Sequence, residues 1–172
     1  MTADASRGRL FVVTGAEPAT RSSVVIALAS RLDRSVAVDC AVFDRMIVSG
    51  REPEPAAGSS AGEPHLGRIR QLLLRWSAGL ATAEAYQLEG FDVVVTDDLG
   101  GERLEDFLDL AAPETVLLVV LDDGSDVETP RWGLWVRSAG RPAADLADAV
   151  FSRLDEARVE TAPLPPPPEA PT

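Results

Sequence analysis

Leu10-Phe11-Val12-Val13-Thr14-Gly15-Ala16-Glu17-Pro18-Ala19-Thr20-Arg21-Ser22-Ser23 is the stretch on which the fold turns. Residues 9–14 form a short β-rich apolar run bounded by a glycine, which reads as a fully buried strand. A polar loop follows. A helix is expected to open on the two serines and to reach Leu32, with Val24, Val25, Leu28, Ala29 and Leu32 at helical spacing. Strand, loop and helix N-terminus in this order is the layout of a phosphate-cradling loop, whose pattern is Gly, four residues, Gly, Lys, then Ser or Thr. Gly15 and Ser22 are in register with the first glycine and the hydroxyl, while Thr20 stands at the second glycine and Arg21 at the lysine.

Working outward, Ser35 to Asp39 reads as a second short strand and Ala41 to Ser49 as a short helix stopped by Gly50. Residues 51–64, rich in Pro, Gly, Ser, Ala and Glu, read as a mobile surface loop. The longest helix is expected from His65 to Leu88. Ile69, Leu72, Leu73, Trp76, Leu80 and Ala83 give its apolar stripe, and Gly90 stops it. Phe91 to Thr96 is a strand ending in Asp97 and Asp98, Leu104 to Leu110 a helix, and Thr115 to Leu121 the most apolar strand. Trp132 to Val136 reads as a fifth strand, where core packing is the first reading of Leu134 and the two tryptophans and an exposed interface patch the second, and Ala143 to Leu154 as the last helix. Nearly continuous apolar strands separated by helices describe a parallel sheet covered on both faces, hence an α/β fold. We expect one domain over 1–157 and a proline-rich tail over 158–172, extended from Thr161 onward by Pro163 and Pro165 to Pro168.

Composition narrows the function. With 172 residues and 45% hydrophobic content the chain can bury a core. The net charge of -12 argues against nucleic acid and against an anionic membrane surface, which demand basic footprints. No apolar run approaches the roughly 20 residues that span a bilayer, so a cytoplasmic protein is expected. All 16 cationic residues are arginine, so no lysine elsewhere can replace the one missing from the loop. A single cysteine, Cys40, and a single histidine, His65, give no thiolate cluster, so neither zinc nor haem is expected. Cys40 reads as a small buried side chain.

The order of elements, with the segments Val36-Ala37-Val38-Asp39, Phe43-Asp44-Arg45-Met46-Ile47-Val48-Ser49-Gly50-Arg51 and Gly90-Phe91-Asp92-Val93-Val94-Val95-Thr96-Asp97-Asp98, resembles the small P-loop kinases and phosphotransferases. Chloramphenicol phosphotransferase, shikimate kinase and adenylate-type kinases belong to that group. The resemblance implies a three-layer P-loop NTPase fold of the nucleoside-kinase type, with a five-stranded parallel sheet ordered 2-3-1-4-5 and a ligand cleft at the strand C-termini. It also implies ATP and magnesium as cofactors, and a nucleotide site at Gly15, Thr20, Arg21, Ser22 and Ser23. Ser22 and Asp97, or Asp98 in its place, become candidate magnesium ligands, and Asp39 or Asp44 the candidate base for an acceptor hydroxyl. Arg131 is the one cation left near the transferred group, because no arginine-bearing lid helix is expected between Leu121 and Thr129.

Each candidate has a plainer reading. Ser22 and Ser23 would cap the first helix, Asp97 and Asp98 would be solvated strand-end carboxylates, and Asp122, Asp123 and Asp126 a solvated turn. In the loop, Thr20 would strain a position needing positive φ, Arg21 spreads its charge over a planar fork, and Glu17 repels phosphate. Three functions are therefore expected in turn. The first is a kinase-like protein with a degenerate nucleotide site, acting by binding a nucleotide, small metabolite or protein partner. The second is an active kinase of a small hydroxylated metabolite that uses Arg21 for the lysine. The third is an acidic protein-interaction module built on the loop and the tail.

Overall fold

In a computed structural model, which describes residues 6–53, 66–125 and 128–161, the opening apolar run becomes the central strand of a sheet. This strand, β1 (Leu10–Gly15), pairs in parallel with β3 (Asp92–Thr96) on one side and β4 (Thr115–Asp122) on the other. β2 (Ser35–Asp39) flanks β3 and β5 (Leu134–Arg137) flanks β4, giving the expected order β2-β3-β1-β4-β5.

Strand side chains alternate between faces, so each apolar run feeds two cores. Leu10, Val12, Val93, Val95, Leu118 and Val120 pack with Trp76 of α3 (Leu66–Leu88) and Leu104 and Phe107 of α4 (Arg103–Ala111). Trp76 and Phe107 meet edge to face, their ring centroids 5.7 Å apart. Phe11, Val13, Val119 and Leu121 face the other way, onto Val24, Val25 and Leu28 of α1 (Pro18–Ala29) and Leu146 and Val150 of α5 (Ala143–Ser152). The result is helix, sheet, helix in three layers. Gly90 ends α3 as expected: at φ +78 it turns the chain so that Phe91 N–H reaches Tyr86 O.

Several boundaries differ from the sequence reading: the helix expected over 41–49 ends at Arg45, the fifth strand runs Leu134–Arg137, the last helix ends at Ser152, and two differences go further. α1 begins at Pro18, four residues before Ser22, because Pro18 presets the helical φ and its missing N–H is no loss in a first turn. Ser22 and Ser23 therefore lie inside the helix and do not cap it, and Thr20 takes ordinary helical geometry without the expected strain. The second correction concerns the tail. Arg158–Glu160 form β6, antiparallel to Thr115–Leu117 of β4. β5 covers β4 only from Val119 to Asp122, which leaves the start of that strand with an open edge, and β6 fills it. The sheet thus has six strands. The remaining proline-rich residues, 162–172, lie outside the described residues, as do 54–64 of the expected loop and His65. Among the described residues no helix is long and apolar enough to cross a membrane.

Candidate functional site

The C-terminal ends of the strands carry three groups of polar side chains. The first surrounds the β1–α1 connection, where only Ala16 and Glu17 separate strand from helix. Gly15 (φ +79) and Ala16 (φ +50) turn the chain through left-handed geometry, and a Cβ on Gly15 would lie 2.3 Å from Leu121 O. One helical turn later Arg21 folds back under this turn. Its Nη1 donates to Gly15 O at 3.2 Å and Ala16 O at 3.1 Å, and the residue is 9% exposed.

A second group joins three elements. Asp97, just past β3, is buried, and both its oxygens are taken. Oδ1 accepts from Arg75 Nη2 at 2.9 Å and from Asp98 N at 2.7 Å, and Oδ2 from Trp76 Nε1 at 2.9 Å. Arg75 Nη1 continues to Asp44 Oδ2 at 2.7 Å, at the end of the short helix α2 (Ala41–Arg45), where Gln71 also donates to Asp44. One guanidinium on α3 therefore bridges two carboxylates. Burial pushes the Asp97 carboxyl up, against the pull of Arg75, the Asp98 N–H, the Trp76 indole and the more distant charge of Arg21. Burial opposes the charge on Arg75, yet Asp97 and Asp44 raise its pKa on balance. The buried Nε of Arg75 has no hydrogen-bond partner among the described residues.

The third group lines a cleft of about 630 Å³ between the first turn of α1, the loop after β4 and the β5–α5 turn. Glu17, Thr20, Asp123, Ser138, Arg141 and Pro142 contribute to its walls. Thr20 Oγ1 donates to Glu17 at 3.2 Å, while Asp123 accepts from the hydroxyl and the N–H of Ser125, which hold its carboxyl below the ordinary range. Among the described residues no group of three or more His, Cys, Asp or Glu side chains converges to hold a metal ion.

No family model matches this sequence, and no curated protein matches it. In structure the chain is similar to the protein APE1195 (TM-score 0.59, 11% identity, 87% of this chain and 96% of that one). It is also similar to a mutant form of the APS kinase CysC of Mycobacterium tuberculosis (TM-score 0.57, 15% identity, 87% and 99%). A third is an unliganded sugar kinase from Janibacter sp. HTCC2649 (TM-score 0.56, 15% identity, 87% and 96%). The fold is that of the P-loop kinases.

On that kinase frame the expected site residues separate. Gly15 and Arg21 meet each other through the hydrogen bond already described, and of the five expected nucleotide-site residues Thr20 lines the cleft, beside Ala16 and Glu17. Ser22 is exposed in the second turn of α1, and Ser23 spends its hydroxyl on Ala19 O at 2.9 Å. Asp44 and Asp97 come together on Arg75, whereas Asp39 accepts from Ala41 N at 2.9 Å and stands 3.7 Å from Arg45. Asp98, the alternative to Asp97, is exposed and 3.6 Å from Arg103. Arg131 stacks on the Trp135 ring, 3.8 Å from its centroid, and Trp132 is exposed rather than core. Among the described residues no helix stands between β4 and β5. Arg75, Trp76, Ser138 and Arg141 were not foreseen in these polar roles. Arg75 offered a faint signal as a charge three residues after Leu72 in an apolar stripe, but its partners lie on distant segments.

Proposed function

We propose that this chain is a protein of P-loop kinase fold that has given up efficient phosphoryl transfer and acts by binding or regulation. The observation that carries the reading is the Arg21 guanidinium folded onto the carbonyls of Gly15 and Ala16. A working phosphate loop turns its N–H groups toward the ligand and adds a lysine that bridges phosphates. Here the connection is two residues long, and the cation in the lysine's register points back into the turn. The candidate magnesium ligands tell the same way: Asp97 has both oxygens engaged with Arg75, Trp76 and Asp98, and Ser22 sits on an exposed helical turn. These residues do not fit a magnesium nucleotide.

Scanning calorimetry with and without millimolar Mg-ATP tests this. We expect no rise in Tm beyond that produced by the magnesium salt alone. A nucleotide present at 100 times its Kd would add about 2.7 kcal/mol of stability, and the rise would be unmistakable. Stabilisation of that size, together with ATP turnover that disappears in Arg21→Ala, would overturn the proposal. The opposite reading, an active kinase of a small hydroxylated metabolite, draws on the absence of lysine from the whole chain, which makes Arg21 a compositional substitute. It requires Arg21 to swing away from Gly15 O, and it predicts a phosphorylated product in a metabolite screen.

A further inference from the structure

We propose that the cleft at the C-terminal ends of β1, β4 and β5 binds a small zwitterion, a molecule carrying a cationic nitrogen at one end and a carboxylate at the other. The inference rests on the reading that this crevice no longer serves a nucleotide, and it names what the crevice takes instead.

Ser138 points to a ligand. It is 4% exposed and lines the cleft. Its N–H donates to Asp122 O, and its carbonyl accepts from Arg141 N. The hydroxyl makes no hydrogen bond among the described residues, yet it is not among the sealed polar atoms that lack a partner. A hydroxyl on an otherwise buried residue that opens on the cleft can donate to or accept from a molecule bound there. Beside it, α5 opens at Pro142 without a side-chain cap. Its first intrahelical bond is Leu146 N to Pro142 O, so the amides before Leu146 in its first turn have no intrahelical acceptor. Arg141 uses one bond each from Nη1 and Nη2, to Arg137 O and Asp145 O, and has three of its five donors left. This wall suits a carboxylate.

The same cleft also carries acid. Glu17 and Asp123 line it, and the bonds they accept come from a hydroxyl and from Ser125, not from a cation. Two carboxylates against one guanidinium repel a polyphosphate and leave the acidic part of the lining unmatched by a lone monoanion. A lone amine leaves Arg141 and the α5 amides unmatched. A zwitterion meets both kinds of charge, and the volume of about 630 Å³ is in the range of small-molecule sites.

The test titrates the full chain, by calorimetry or by chemical-shift perturbation, with 4-aminobutyrate and 6-aminohexanoate as probes. Butyrate and butylamine serve as one-charge controls. At least one zwitterion is expected to bind about tenfold or more tighter than either control. Glu17→Gln and Arg141→Gln are each expected to weaken it about tenfold or more, and Ser138→Ala is expected to weaken it by a smaller factor. Asp123→Asn, on an exposed loop, supplies a charge variant that leaves the fold alone should the Arg141 change disturb the β5–α5 turn. Binding of neither zwitterion, controls that bind as tightly, or charge variants with unchanged affinity would each overturn the proposal. Mg-ATP turnover by the same protein would instead overturn the loss of phosphoryl transfer, so the two failures are told apart.

Discussion

At Arg75 one guanidinium faces two carboxylates that chain order keeps apart, Asp44 standing 31 residues before it and Asp97 22 after. Side-chain exposures of 16%, 14% and 4% put the three groups largely out of water. Removing one partner of such a cluster strands the others, which typically costs about 3–5 kcal/mol. Urea denaturation of Arg75→Met is expected to lose stability of that order, with part of it regained in Arg75→Met/Asp97→Asn. An unchanged midpoint would mean that the bridge contributes nothing. The raised pKa of Asp97 adds a pH signature. A carboxyl that titrates higher in the folded state binds its proton more tightly there, so its contribution to stability is largest at low pH and is lost as pH rises through the folded value. Asp97→Asn is therefore expected to lose less stability than the parent protein as pH rises out of the ordinary carboxylate range. The opposite slope would contradict the burial argument. None of this was legible beforehand. Asp44 and Asp97 stood out as candidates for their places in the order of elements, but nothing local announced a common arginine.

For the elements, pattern was a good guide wherever an apolar period ran long enough. α3 was read to within a residue because its stripe spans six apolar positions and a glycine closes it. The start of α1 was misplaced because the phosphate-loop register drew the reading toward Ser22, although Pro18 carried the physical signal. β6 was missed for a different reason. Arg158-Val159-Glu160 has too little apolar character to announce a strand, and it pairs only because β5 leaves the first residues of β4 uncovered. Two truncations measure its worth. Deleting residues 162–172 is expected to leave Tm unchanged. Deleting 158–172 removes the β4 pairing, the half-buried Val159 and the Thr161 bond to Glu114 O, and is expected to cost about 2 kcal/mol, or several degrees. Equal Tm values for the two would deny β6 a structural part.

Across the whole molecule, Cys40 reports on cooperativity. It lies at the end of β2 beneath α3, fully buried, and a Cβ on Gly79 would come within 2.4 Å of its sulfur. Burial, and then the charge of Asp97, push its thiol up to about 12, so the native thiol is neither accessible nor ionised at neutral pH. Labelling by a thiol reagent is expected to proceed only through unfolding, with an opening free energy equal to that from urea denaturation. Rapid labelling of the native protein would reveal a local opening between β2 and α3. The sequence by itself determined the layers, because apolar period and the alternation of strands with helices report burial directly, while the strand order was implied by the resemblance to small P-loop kinases. Only the tertiary structure decided the direction of Arg21, the meeting of Asp44 with Asp97, the pairing of β6, and the cleft formed by Glu17, Asp123, Ser138 and Arg141. Those outcomes depend on which distant segments fold against one another, and no local run of residues encodes that.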